Sequence, residues 1–303
     1  MVKVLYIAGW GRSGTTIVDN VLNSYDAVFS TGELSYLWSR GVGMRRRCGC
    51  GETFDECPLW QKVLSVAYGG RVPDPRHVIG LQQRAVRARH TRSLLNGPLP
   101  ADAAEYLAIT ARLYNAIAEV TGAGLIVDSS KTPSGAALLS RMPGIRPYLL
   151  HMVRDPRAVA HSWTGAAPPP ETRGGAPIKQ RPASSTVHWV VRNAMTERVA
   201  GAYPQRHLRL RYEDFVAWPR PSVRRVLDLT ATGDEGDPFT GAATVALRPN
   251  HNVAGNPGRL RNGEIELRLD NRWRDARRRG LWLTSTALAM PLLHRYGYHL
   301  RPL

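Results

Sequence analysis

Cysteine is scarce in this chain: there are three residues, all between Cys48 and Cys57. That clustering excludes a disulfide framework tying distant segments together. The C-x-C-x6-C spacing offers three thiolates of the kind zinc accepts, but no fourth ligand sits at a usual spacing. One local disulfide or three reduced thiols is the expectation, with no metal. Acidic residues are also few, 24 against 41 Lys plus Arg, which leaves a formal net charge of +17. Such a field favours anionic ligands, nucleic acid or membrane surfaces, although arginines spread along the whole chain also describe an ordinary solvated surface. Long apolar runs are missing. The nearest, Leu281 to Leu293, contains Thr284, Ser285, Thr286 and Pro291, falls short of the roughly 20 residues a bilayer span needs, and reads as a buried C-terminal helix. The opening residues lack a secretory leader pattern, so a soluble cytoplasmic protein without a stable membrane anchor is expected. No internal repeat or linker is evident, and residues 1–303 read as one domain.

What the chain does have is a glycine-rich turn between a strand and a helix. Val2, Val4, Leu5 and Ile7 make an apolar run of strand length. Ile17, Val18, Val21 and Leu22 then fall at helical spacing, so a helix starts at or just before Thr15. Between them lies Gly9-Trp-Gly-Arg-Ser-Gly-Thr-Thr16. A unit of this kind aims several backbone N–H groups and a helix N-terminus at one point, where a phosphate fits. The triphosphate-binding pattern G-x-x-x-x-G-K-[ST] has counterparts in Gly9, Gly14 and Thr16, but Thr15 stands where a lysine reaches the β/γ-phosphates. The cation is instead Arg12, inside the loop. That arrangement suits a single phosphate better than a triphosphate, and a plain glycine turn is the bland alternative.

Further short strands are predicted at Val28 to Glu33, Leu125 to Asp128, Tyr148 to Val153 and, last, Leu208 to Arg211. Helices are predicted from about His77 to Leu95, around Tyr106 to Val120, from Pro133 through Leu139, after Arg157 through Ser162, and over 185–203. This alternation implies βαβ units, a parallel sheet and an α/β fold. Ligands of such sheets collect outside the carboxyl ends of the strands. Arg12, Glu33, Lys131 and Arg154 each lie just past a strand end and should converge there. Residues 164–184, with five prolines and three glycines, read as a loop or lid. The run from Leu247 to Arg261 is irregular.

Four separated motifs resemble one family, the sulfotransferases that use 3′-phosphoadenosine 5′-phosphosulfate (PAPS). Gly11-Arg-Ser-Gly-Thr-Thr16 is similar to their 5′-phosphosulfate loop. Arg154-Asp-Pro-Arg-Ala-Val-Ala-His-Ser162 is similar to their 3′-phosphate motif, an Arg at a strand end with a Ser eight residues later. Leu210-Arg-Tyr-Glu-Asp214 resembles their strand-end Tyr-Glu-Asp, and Gly255-Asn-Pro-Gly-Arg259 their late loop that closes over the nucleotide. The Cys-Gly-Cys-Gly stretch resembles a bacterial subset. The likeness covers about residues 4 to 275.

The resemblance implies a three-layer αβα fold with a central, mostly parallel sheet, like that of the P-loop NTPases. It implies transfer of a sulfuryl group from PAPS to a hydroxylated acceptor, a small molecule or glycan, by in-line displacement without a metal. Gly11, Arg12, Ser13, Gly14, Thr15 and Thr16 would hold the 5′-phosphosulfate. Arg154, Ser162, Gly258 and Arg259 would hold the 3′-phosphate end, with Tyr212 near the adenine. Glu33 matches the general base of one branch; His151 and His161, which belong to the elements around the 3′-phosphate motif, match the histidine branch poorly. Arg12 and Lys131 would steady the leaving oxygen. Loops 40–60, 75–100 and 164–184 would shape the acceptor pocket. Two other classes compete. A P-loop nucleotide kinase would show magnesium-dependent ATP binding, with Asp128 the one fair metal-binding aspartate. A basic nucleic-acid-binding protein would show salt-dependent DNA retention, but no reader motif is present.

Overall fold

The computed structural model describes residues 1–165, 180–274 and 279–300. The chain opens with β1 (Val2–Ala8), α1 (Thr15–Leu22) and β2 (Val28–Gly32). A π-helical turn at Leu37–Gly43 and the cysteine loop lead to α2 (Pro58–Tyr68), α3 (Pro75–Ala85), α4 (Thr91–Leu95) and α5 (Ala101–Thr121). Then come β3 (Leu125–Lys131), α6 (Pro133–Leu139), β4 (Ile145–Val153), α7 (Pro156–Thr164) and α8 (Pro182–Ala200). The order closes with β5 (His207–Arg211), α9 (Tyr212–Ala217), α10 (Pro219–Thr230), β6 (Thr244–Leu247), β7 (Gly263–Glu266) and α11 (Arg279–Arg295). Proline opens α2, α3, α6, α7, α8 and α10, the position where its missing N–H costs no helical hydrogen bond. Thr132 and Asp155 cap α6 and α7 by accepting from the amides of Gly135 and Arg157, which fixes where each helix leaves its strand.

The five strands β1 to β5 form one parallel sheet in the order β2-β3-β1-β4-β5. Alternate residues of β1 face opposite ways, as the period of a strand requires. Val4, Tyr6 and Ala8 pack with α2 to α6, and Leu5 and Ile7 with α1, α9 and α10. A third cluster joins α7, α8 and α11 around Trp189 and Val159. The predicted α/β architecture is therefore present, with every expected strand in the sheet.

Several local readings change. The helix expected over 77–95 is two, since Val86 leaves helical geometry (φ −122°) and a 3-10 turn at Ala88–His90 intervenes. The last strand is not 208–211: β6 and β7 pair antiparallel beyond it, and the irregular run from 248 to 262 connects them. α11 is not buried all round. Ser285, Ala289, Leu292 and Leu293 face inward while Leu283, Leu288 and Met290 are exposed. The loop expected over 164–184 falls mainly on 166–179, outside the described residues. At its ends Thr164 closes α7 and residues 182–184 open α8.

The connection between β6 and β7 is tied back to α1 through a buried polar knot. Asn252 Nδ2 donates to Asp19 Oδ2 (2.9 Å), and Ser30 Oγ donates to Asp19 Oδ1 (2.6 Å). Asn20 Nδ2 donates to the carbonyl of Gly258 (3.0 Å). Burial holds the Asp19 carboxyl up at about 7 against the pull of these donors, well above an ordinary aspartate. The folded chain thus keeps a proton that the unfolded chain releases. That contribution to stability is complete below about pH 4 and is lost as pH rises through about 7. Buried Asp128 and Glu213 shift in the same direction for the same first cause. Denaturant unfolding should give lower stability at about pH 8 than at about pH 5, and Asp19→Asn should show a shallower dependence than the wild type. Parallel pH dependences in the two proteins would contradict the assignment.

Candidate active site

All five parallel strands end at one edge of the sheet, and the side chains there come from their exits. After β1 the chain turns through Gly9 (φ 140°) and Gly14 (φ 81°), conformations that suit glycine. A side chain at Gly9 would strike the Met152 carbonyl, and one at Gly14 would enter the Tyr212 ring. Gly11 lies against Trp163. Thr15 and Thr16 form the first turn of α1, Thr15 buried and Thr16 half-buried. Arg12 adopts φ 72° without being glycine, and its guanidinium lies 5.0 Å from the Trp163 ring centroid. Partial burial lowers its pKa, and the negative field of Glu33 opposes that. Ser13 is fully buried, with no hydrogen-bond partner for its Oγ among the described residues.

Glu33 and Lys131 form an ion pair, with both side chains about 15% exposed (15% and 16%). Sequence spacing placed each at a strand exit but carried no sign of how they are aimed. Each strand has one extra residue there: Gly32 pairs with Asp128 one step after Ser30 pairs with Val127, and Lys131 pairs with Ala8 where an unbroken register would reach 130. Bulges of this kind re-aim the side chains that follow them. Lys131 also sits at φ 69°, a left-handed conformation that costs a lysine roughly 1–2 kcal/mol. Asp128, beneath the pair, is fully engaged. Tyr114 Oη donates to one oxygen (2.6 Å), and the Ser130 amide and hydroxyl donate to the other (2.8 and 2.5 Å). It is a buried structural carboxylate, which removes the aspartate on which the kinase alternative relied.

At the exit of β4, Arg154 NH1 donates to the Arg12 carbonyl (3.2 Å), and the guanidinium lies 4.5 Å from the Tyr212 ring centroid. Among the described residues, NH2 makes only long contacts, with Asp270, 3.4 Å to the carbonyl and 3.5 Å to the carboxylate. Nε is buried without a hydrogen-bond partner among the described residues. Asp155 does not pair with Arg154. It takes the buried Arg157 guanidinium through both oxygens (2.9 and 2.6 Å), so the second Arg of the motif is a packing element. Glu213 accepts from the Asp155 amide (3.0 Å) and Tyr298 (2.8 Å), fixing the end of β5 against α7. Ser162 is half-buried on α7 beside Trp163. His151, buried in β4 and held down at about 4 by burial, contacts Asn193 (2.8 Å).

The strand-end residues do converge: Arg12, Glu33, Lys131, Arg154 and Tyr212 are linked by direct contact or by field. The late loop reaches the same edge. Glu33 N–H donates to the Ala254 carbonyl (3.3 Å), and Gly255 lies between Glu33 and Arg259. Arg259 is 1% exposed, and it donates to the carbonyls of Asn252 (3.3 Å) and Arg47 (3.2 Å). Its guanidinium thus braces two loops from inside. Asp19 and Asn252 were not foreseen as site residues, because their partners are remote in sequence. Behind Glu33 and Lys131 lies a cavity of about 250 Å³, bounded by Ser35 and Thr132 and walled by Tyr6, Trp38, Tyr106 and Tyr114, with Arg192 at its side. Of the loops expected to shape such a pocket, 75–100 contributes Gln82, Gln83, Val86, Arg87 and Ala88, while 40–60 contributes no lining residue among those described.

A model of the sulfotransferase family matches residues 5–232. The sulfotransferase domain of the olefin synthase from Synechococcus PCC 7002 is similar in structure over 99% of this chain and 96% of its own, with a TM-score of 0.54 at 20% identity. The sulfotransferase domain from the curacin biosynthetic pathway covers 99% of each chain with a TM-score of 0.50 at 16% identity. At such identities the likeness speaks for the fold. No curated protein matched. With the family model covering most of the sequence and the fold agreeing, this chain belongs to the sulfotransferase family.

Proposed function

We propose that this protein transfers a sulfuryl group from PAPS to a hydroxyl of a small acceptor held in the aromatic cavity. The observation that carries the reading is the Glu33–Lys131 pair, set between a loop fit for one phosphate and a cavity of small-molecule size. Two buried polar atoms without partners among the described residues, Ser13 Oγ and Arg154 Nε, border the donor side. Buried polar groups are rarely left unmatched, and a bisphosphorylated nucleotide would satisfy both. The loop amides from Arg12 to Thr16 would hold its 5′-phosphosulfate. Arg154 and Ser162 would hold the 3′-phosphate, with NH2 of Arg154 exchanging its long contacts to Asp270 for charge-assisted ones. Tyr212, already stacked under Arg154, lies where the adenine would approach. Gly258 and Arg259 would act by keeping the late loop closed on α1.

The chemistry then follows from contact. The acceptor oxygen attacks sulfur as the sulfur–oxygen bond to the 5′-phosphate breaks, and adenosine 3′,5′-bisphosphate leaves with that electron pair. Glu33 takes the acceptor proton. Lys131 and Arg12 face the charge that develops on the departing oxygen, the preorganised stabilisation that favours the transition state. Glu33 and Lys131, in contact here, would part to flank the sulfuryl group along the line of displacement.

Glu33→Gln should lower turnover by about 10²–10⁴-fold while calorimetry finds adenosine 3′,5′-bisphosphate bound as in the wild type. Near-normal turnover would remove Glu33 from the role. Arg154→Ala should weaken that nucleotide by about ten- to a hundredfold and 5′-AMP much less, since the nucleotide contacts proposed for Arg154 are to the 3′-phosphate. If the variant keeps its preference for the 3′-phosphorylated nucleotide, Arg154 does not read that group.

A further inference from the structure

The cysteine loop plays no part in the sulfuryl-transfer reading, yet it is built in detail. Cys48 and Cys57 are buried and Cys50 is exposed, all three as free thiols. The loop is closed by the Gly51 amide on the Cys48 carbonyl (3.0 Å) and the Cys48 amide on the Glu52 carbonyl (2.8 Å). The fourth ligand that spacing did not reveal comes from the late loop, 194 residues after Cys57. His251 Nδ1 lies 3.4 Å from Cys57 Sγ and 3.6 Å from Cys48 Sγ. Cys50 Sγ lies 3.8 Å from Cys57 Sγ, and all four donor atoms fall within 4.8 Å of one another.

These separations can be compared with the edges of a metal tetrahedron. Zinc bonds of about 2.3 Å to sulfur and about 2.0–2.1 Å to nitrogen set S···S edges near 3.8 Å and S···N edges near 3.5 Å. A disulfide would need about 2.05 Å. We propose that Cys48, Cys50, Cys57 and His251 bind one zinc ion in a closed Cys3His site that clamps the cysteine loop to the late loop. Its surroundings fit. The Cys50 amide faces the Cys48 sulfur and the Trp60 amide the Cys57 sulfur, contacts that orient sulfur ligands. Trp60 Nε1 donates to the His251 carbonyl (2.8 Å), and the Gly49 amide to the Asn252 carbonyl (3.1 Å). A side chain at Gly49 would collide with Asn250 and Asn252, so the glycine between the first two cysteines is where the loops touch. Loading displaces the thiol protons to solvent, and three thiolates against one dication leave one net negative charge, beside Arg45, Arg46 and Arg47. Four protein ligands leave no open position, so the ion would be structural. It would hold the segment that presents Asn252 to Asp19 and Arg259 to Arg47. The site does not rest on the sulfuryl-transfer reading.

The test is metal content by plasma mass spectrometry on full-length wild type, purified with reductant and without chelator, together with titration of the metal-stripped reduced protein with cobalt(II). About one zinc per chain and the absorption of tetrahedral, thiolate-bound cobalt are expected. Cys50→Ser, at an exposed position, should weaken zinc binding by at least about tenfold while circular dichroism stays native. Zinc below about 0.1 per chain without a tetrahedral cobalt spectrum would overturn the proposal, as would a Cys50→Ser protein that binds zinc as tightly as the wild type.

Discussion

A parallel sheet delivers every strand to the same edge, and that constraint organises this molecule. In the order β2-β3-β1-β4-β5, the exits of β1, β2, β3, β4 and β5 supply Arg12, Glu33, Lys131, Arg154 and Tyr212 in turn. None of these residues is near more than one of the others in sequence. Their meeting depends on the register of the sheet, and most sharply on the bulges that end β2 and β3. A one-residue slip in either would turn Glu33 or Lys131 to the opposite face. The left-handed backbone at Arg12 and Lys131 marks the same place. Strain held at a strand exit beside a glycine loop is typical of a site whose side chains must be aimed rather than merely packed.

Much of this was legible in the residues. Apolar runs of strand length alternating with helical periodicity gave the sheet and its parallel sense, and the glycine loop without its lysine pointed away from a triphosphate. The rest depends on information that local pattern does not carry. Bulges leave no compositional mark when the extra residue is an ordinary Ser or Thr. The β6–β7 hairpin has four-residue strands, one of them Gly-Glu-Ile-Glu, too short and too polar for alternation to show. Asp155 pairs with Arg157 and not with the adjacent Arg154, because capping α7 turns the aspartate back toward its second neighbour. Asp19 and Asn252 are 233 residues apart, and only the fold joins them.

The excess of positive charge divides into distinct roles. Many arginines are surface partners of single carboxylates, as Arg84 is of Asp102 and Arg272 of Asp270, and exposed pairs like these contribute little to stability. Arg157 and Arg259 are buried and bound to carboxylate or carbonyl oxygens, so they serve as internal braces. Arg12 and Arg154 are partly or largely buried at the strand exits, and Arg154 reaches its acidic neighbour only at 3.5 Å. The +17 charge is therefore a poor guide to partners as a total. What supports the proposed anionic nucleotide is the placement of those two guanidiniums beside the loop amides.

The late loop turns a strand-edge cluster into an enclosed site. It is held on one side by Asp19 and Asn20 of α1 and on the other by the cysteine loop, with Gly255 leaving room between Glu33 and Arg259. On the proposed reading, a donor at the glycine loop and an acceptor in the cavity would approach the Glu33–Lys131 pair from opposite directions. Sulfuryl transfer as proposed requires that the glycine loop and Arg154 form a site for a 3′,5′-bisphosphorylated adenosine. Titration calorimetry of the wild type against adenosine 3′,5′-bisphosphate and against ATP with magnesium tests it most directly. Saturable one-site binding of the bisphosphate is expected, at least about tenfold tighter than ATP. Equal or tighter binding of magnesium-ATP would contradict it.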